Sequence, residues 1–170
     1  VQFFCWASFL FMWSYTNCTI ATLVFDTPVK DGLLDTSSVA YQQAGNWVGV
    51  LYGVQAMGSV AWATIIPYLP GRKLAYALSL VIGGLGFVGT SLVHDPYIMF
   101  LPFLLIGCGW AAMLALPFTL LTNALAGRGH MGTYLGLFNC TICLPQIVAA
   151  VLGGQLLHLL PLGANGAPNE

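Results

Sequence analysis

The sequence predicts an all-α membrane protein of about five transmembrane helices, and three observations carry that prediction. The 170 residues hold only four Lys/Arg and five Asp/Glu. All nine charges lie outside five long apolar stretches, in the gaps between them or in the C-terminal tail. Each stretch reaches the roughly 20 residues that a helix needs to cross hydrocarbon. A Leu or Phe in a span gains about 0.3–0.6 kcal/mol, whereas one Asp, Lys or Arg at bilayer centre costs about 2.5–3.5, so a charge cancels several leucines. With 58% apolar and 5% charged residues, the chain is too poor in polarity to cover a water-soluble surface, where about 25% are charged. Barrel strands would alternate apolar and polar residues over about ten positions, and these runs do not.

The first stretch, Val1 to Phe25, places Gln2, Trp6, Trp13 and Asn17 on one stripe, with Tyr15 and Thr16 beside it. An aromatic a few turns from an amide suits a sugar ring, which offers a face for stacking and hydroxyls for hydrogen bonds. For Trp6 and Trp13 taken singly, interfacial anchoring is the stronger reading. The second stretch, Gly45 to Leu69, carries Gly45, Gly49 and Gly53 at four-residue spacing, which predicts a close helix crossing, with Tyr52, Gln55, Ser59 and Trp62 nearby. The third, Leu74 to Val93, is a plain span. The fourth, Tyr97 to Ala126, sets Cys108, Ala112, Ala115, Thr119, Thr122 and Asn123 on one face, with Trp110 and Pro117 to the side. The fifth, Met131 to Leu160, has the clearest face: Gly132, Gly136, Asn139, Cys143, Gln146, Ala150 and Gly153 fall within about 100° of one another. That face serves either helix packing or a cavity wall. Pro117 and Pro145 free backbone carbonyls, which lipid does not tolerate, so both prolines are expected to face inward.

Topology follows from the gaps. Asp26, Lys30, Asp31 and Asp35 lie in the first gap, a polar loop; Arg72 and Lys73 lie in the second, Asp95 in the third and Arg128 in the fourth. The positive-inside tendency puts the second and fourth gaps in the cytoplasm and the first, the third and the tail outside. Five spans leave the termini on opposite sides. Val1 is no initiator methionine and no signal-peptide pattern opens the chain, so it reads as an excerpt of a larger bundle.

Several motifs fail on context. Asn17-Cys18-Thr19 and Asn139-Cys140-Thr141 match the glycosylation sequon but lie inside spans. Cys140 and Cys143 form a CxxC on an apolar helix with no redox or metal constellation. His94, His130 and His158 lie in or beside loops or near a membrane edge. The reading therefore calls for no catalytic residues, metal or cofactor, and for an enzyme least of all. A net charge of −1 gives no basic face for nucleic acid.

Taken in order, Val1-Gln2-Phe3-Phe4-x-Trp6, Asn46-Trp47-Val48-Gly49-Val50, Gly109-Trp110-Ala111, Leu116-Pro117-Phe118, Met131-Gly132-x-Tyr134-x-Gly136-x-Phe138-Asn139 and Pro145-Gln146-Ile147 resemble helices seven, eight, ten and eleven of sugar/cation symporters. The relatives are the glycoside-pentoside-hexuronide and sucrose/proton types of the major facilitator superfamily. The resemblance implies most of a C-terminal six-helix half, residues 1–170, without the N-terminal half and the last helix. Two departures stand beside it. The loop signature of the superfamily is reduced to Pro70-Gly71-Arg72-Lys73, and Tyr15-Thr16-Asn17 stands where plant sucrose relatives carry acidic residues.

The resemblance and the polar faces together imply a multi-pass cell-membrane transporter that moves a sugar with protons by alternating access. The candidate substrate-binding residues are Trp6, Asn17, Gln55, Trp110, Asn139 and Gln146. Its partners would be the solute, protons, the lipid bilayer and the rest of the same protein, with the coupling acid elsewhere because no carboxylate lies within these spans. A transporter of another small solute or drug, and a membrane structural or assembly protein, are the alternatives.

Overall fold

A computed structural model describes residues 1–30, 33–127 and 129–159. Asp31, Arg128 and the tail from Leu160 lie outside the described residues, as do the side chains of Leu33, Gly154 and residues 156–159. The topological use of Asp31 and Arg128, and the placement of His158, therefore rest on the sequence.

Polar side chains mark some of the helix boundaries. Helix α1 spans Gln2–Leu23, and the loop that follows contains a short antiparallel pair, β1 (Val29–Lys30) and β2 (Leu33–Leu34), with Val29 opposite Leu34. Helix α2 spans Val39–Ile65 and so begins ahead of the expected Gly45. The backbone N–H of Tyr41 donates to Ser38 Oγ at 3.1 Å, and that of Ser37 to Asp35 Oδ1 at 3.0 Å, so polar side chains hold the first turns. Pro67 falls in a 3₁₀ turn, Ile66–Tyr68, and Gly71 at φ +77° redirects the chain into α3, Arg72–Leu92. Asp95 Oδ1 accepts the N–H groups of Tyr97 and Ile98 at 2.8 and 2.9 Å just before α4, Phe100–Ala124. Helix α5 spans Met131–Leu159.

Four of these helices, α2 to α5, are long and apolar enough to cross a membrane. Helix α1 has the length, 22 residues, but Ser14-Tyr15-Thr16-Asn17 dilutes its apolar character. The architecture is that of an all-α membrane protein.

The chain divides into two compact units: Val1–Val48 together with α5 from Gly132, and Gly49–Met131. In the second unit α4 is the central helix; half of its most apolar window is buried, against 22% for α3. The reason is small residues on both sides of the α3–α4 crossing. Helix α3 buries Ala75, Ser79, Gly83 and Gly86. A Cβ on Gly83 would stand 2.9 Å from Gly109 Cα, and one on Gly86 2.6 Å from the Pro102 carbonyl oxygen. Backbones this close leave no room for any side chain. Helix α2 meets α4 in the same way: a Cβ on Gly107 would lie 2.3 Å from the Gln55 carbonyl oxygen. Ser59 Oγ donates to the Gly107 carbonyl at 2.9 Å. Trp62 Nε1 donates to Ser79 Oγ at 2.8 Å, joining α2 to α3. On its other side α3 exposes Leu74, Leu78, Val81, Leu85, Val88 and Leu92, a continuous apolar stripe suited to lipid.

The expected crossing at Gly45, Gly49 and Gly53 is corrected here. Among the described residues nothing lies within 4 Å of a Cβ on Gly49 or Gly53, and Gly45 meets only Asn17 Oδ1 at an ordinary 3.6 Å. The buried stripe of α2 is Ala44, Val48, Leu51, Gln55 and Gly58 instead. At 100° per residue the glycine row lies about 100–180° away from it. Glycine spacing shows that a helix can be approached closely; it does not show from which side.

In the first unit α1 buries Phe9, Met12, Thr16 and Ile20, three or four residues apart. Its Phe11 and Tyr15 rings are stacked with centroids 6.0 Å apart. A Cβ on Gly153 of α5 would stand 2.9 Å from Phe11 Cε1 and from Tyr15 Oη. Pro117 and Pro145 are both buried, in keeping with the inward placement that their freed carbonyls require.

Candidate functional site

Threonine hydroxyls and carboxamides inside the helices behave differently. Several threonine hydroxyls are satisfied within their own helix. Thr16, Thr19 and Thr22 on α1 donate to the carbonyls of Met12, Tyr15 and Cys18. Thr119 and Thr122 on α4 donate to Ala115 and Phe118, and Thr141 on α5 donates to Phe138. Such bonds to carbonyls one turn back remove the cost of a hydroxyl in lipid. Carboxamides are too long and carry too many polar sites to be satisfied this way. Asn17, Gln55, Asn139 and Gln146 form no side-chain hydrogen bond with any described residue. An amide left so in an apolar medium costs about 2–7 kcal/mol, and each of the four therefore calls for water, a ligand or another helix.

Their placements differ. Asn17 is half-buried on α1, its Oδ1 fully buried and turned toward Gly45 at the start of α2. Gln55 is 6% exposed, on the stripe of α2 whose backbone abuts Gly107, so it sits in the α2–α4 crossing rather than on an open surface. On α5, Asn139 is exposed and Gln146 half-buried, roughly 12 and 22 Å along the helix from Met131. Of the two aromatic candidates, Trp6 and Trp110 are both half-buried. Trp13, on the expected α1 stripe, is 41% exposed. Trp6, Asn17, Asn139 and Gln146 belong to the first unit, and Gln55 and Trp110 to the second.

The face of α5 singled out by its small and polar residues is largely uncovered, as are Leu137, Leu144 and Val151 on another side of the helix. Gly132, Gly136, Asn139, Cys143 and Ala150 are exposed; only Gln146 and Gly153, at its edge, are covered. What α5 buries is a neighbouring stripe that includes Pro145, Ala149 and Gly153. The face thus offers two amides, a thiol and a strip of exposed backbone to whatever lies against it. Among the described residues no cluster of His, Cys, Asp and Glu could hold a metal ion. Sequence reasoning passed over Ser79, whose link to Trp62 joins positions 17 residues apart and leaves no linear signal.

No family model matches the chain, and no solved structure matches it. It is similar to Magnetosome protein MamH of Paramagnetospirillum magneticum (strain ATCC 700264 / AMB-1), 33% identical over 119 residues. The match covers 69% of this chain and 27% of that relative, so the chain spans little more than a quarter of the relative's length. This finding overturns the resemblance to sugar/cation symporters of the glycoside-pentoside-hexuronide or sucrose/proton type. The packing explains how the motifs misled. Gly109 of Gly109-Trp110-Ala111 is spaced by its contact with Gly83. Gly, small and aromatic residues recur wherever membrane helices cross closely, whatever they carry.

Proposed function

We propose that the chain is part of a membrane transporter of the major facilitator type, in which α5 lines the path of a small polar solute. The observation that carries the reading is the contrast within the helices: the hydroxyls named above are internally satisfied while Asn17, Asn139 and Gln146 are not. Alternating access about a midplane site lined by two sets of helices gives those amides a wet cavity and a ligand. The absence of carboxylates from α1 to α5 supports a solute held by hydrogen bonds, with any coupled proton carried by an acid elsewhere in the protein. The similarity to a magnetosome protein supports work in the membrane of such a compartment.

Membrane vesicles carrying the protein provide the test. Asn139→Leu and Gln146→Leu are expected to abolish solute uptake, at least ten-fold, with membrane abundance unchanged. If both variants instead dissociate or vanish from the membrane, the uncovered glycines Gly132 and Gly136 belong to a helix-assembly surface, and the chain serves a structural or assembly protein.

A further inference from the structure

We propose that the second unit carries a binding site for an anionic phospholipid of the cytoplasmic leaflet, at the end of the bundle where α2 gives way to α3. A cavity of about 520 Å³ opens there, lined by Ala63, Ile66, Leu69, Arg72, Ala115 and Thr119 among others. Its size falls within the roughly 300–1,000 Å³ of small-molecule sites. The walls come from three elements: the end of α2 with its 3₁₀ turn, the start of α3 and the C-terminal half of α4.

Chemistry divides the cavity into two parts. Ala63, Ile66, Leu69 and Leu116 give it an apolar wall, which a soluble anion would leave unwetted but an acyl chain would cover. Arg72 stands exposed at the rim and has no ion-pair partner among the described residues. Lys73 follows it. The start of α3, where Gly71 and Arg72 line the cavity, has no side-chain cap, so its first backbone N–H groups lack a side-chain acceptor. A guanidinium, an ammonium and a helix N-terminus together suit a phosphodiester, the guanidinium pairing with two of its oxygens. Tyr68, 88% exposed on the neighbouring turn, is the kind of residue that marks a membrane–water boundary.

Charge distribution favours the lipid as occupant. Every acid before the C-terminal tail, Asp26, Asp31, Asp35 and Asp95, lies in the loops assigned to the outside, whereas Arg72, Lys73 and Arg128 occupy the loops assigned to the cytoplasm. The cytoplasmic leaflet is where anionic lipids attract such residues, and basic pockets between helices on that side select their headgroups.

Protein in mixed phosphatidylglycerol and phosphatidylcholine nanodiscs tests this by mass spectrometry of the lipid retained after detergent extraction. The unaltered protein should retain phosphatidylglycerol selectively. Arg72→Gln should reduce that retention roughly five-fold and Arg72→Gln with Lys73→Gln further, while Lys30→Gln, in the outer loop, should leave it unchanged. Ala115→Leu, which fills the cavity without altering charge, should reduce it as well. Three results would overturn the proposal: no selectivity in the unaltered protein, full retention by the double variant, or full retention by Ala115→Leu, which would reduce the effect to surface attraction. Displacement of the lipid by millimolar glycerol phosphate would also overturn it, by showing a soluble anion to be the ligand.

Discussion

Helices α3 and α5 are built from similar residues and use them in opposite ways. Helix α3 buries its small face, Ala75, Ser79, Gly83 and Gly86, and exposes leucines and valines. Helix α5 leaves Gly132, Gly136, Asn139 and Cys143 uncovered. The difference lies in the partner. Gly109, Pro102 and Ile106 on α4 meet the small face of α3 directly, so within this chain that face is closed and its function is packing. Nothing among the described residues closes the small face of α5, and its amides have nothing to bond. Small residues pack where a matching surface exists and form a wall where one does not.

The largest expected effect separates closed from open glycines. Gly107→Ala puts a methyl where only 2.3 Å separates it from a carbonyl oxygen of α2, and this overpacking should cost about 1–3 kcal/mol or more. Gly49→Ala, with nothing within 4 Å, should be neutral or gain up to about 1 kcal/mol through helix propensity. Unfolding in mixed micelles measures both. Equal losses at the two sites would erase the distinction between them.

A smaller effect sharpens the account of the closed seam. Ser79→Ala removes the acceptor of Trp62 Nε1 and should cost about 0.6–1.7 kcal/mol, the span found for hydrogen bonds between membrane helices. Combined with Trp62→Phe in a double-mutant cycle, the two losses should not add. Strict additivity would mean that the bond contributes nothing.

The smallest effect lies outside the membrane. The hydroxyl and backbone N–H of Ser37 hold the Asp35 carboxyl below its ordinary range, with Lys30 adding a weaker attraction. A carboxylate whose folded pKa is depressed contributes stability above its unfolded pKa and loses it as pH falls through the folded one. The turn before α2 should therefore stay ordered through ordinary acid conditions and loosen only below about pH 4. Carbon NMR of the Asp35 carboxyl should show a midpoint below the ordinary carboxylate range, and a midpoint within or above that range would refute the capping geometry.

Much of the fold was legible because lipid imposes a strong rule: charge positions alone delimit the helices, and the freed carbonyls of Pro117 and Pro145 orient those prolines. Other features depended on partners that a linear pattern does not contain. The start of α2 rests on hydrogen bonds from Asp35 and Ser38 in a stretch too polar for an apolar scan. The short β1–β2 pair lay hidden inside what read as a polar loop. Gly45, Gly49 and Gly53 were recognised as a row, but no described helix closes on it. At the candidate site Asn17, Gln55, Asn139 and Gln146 stood out as amides in apolar runs; that Gln55 belongs to a crossing and Asn139 to an open face depends on helix partners that the sequence does not name. The symporter resemblance failed for a related reason, since the residues that carried it are also the ones that close packing selects.

Cys143 permits the most direct test of the central claim, that the small and polar face of α5 borders water. It lies on that face and is exposed, while Leu137 points to another side of the helix. With Cys5, Cys18, Cys108 and Cys140 replaced by Ser, a charged, membrane-impermeant thiosulfonate added from either side should modify Cys143. The same reagent should spare the thiol of Leu137→Cys in a background where Cys143 is also Ser. Protection of Cys143 equal to that at position 137 would contradict the account and leave the α5 face to lipid or to packing.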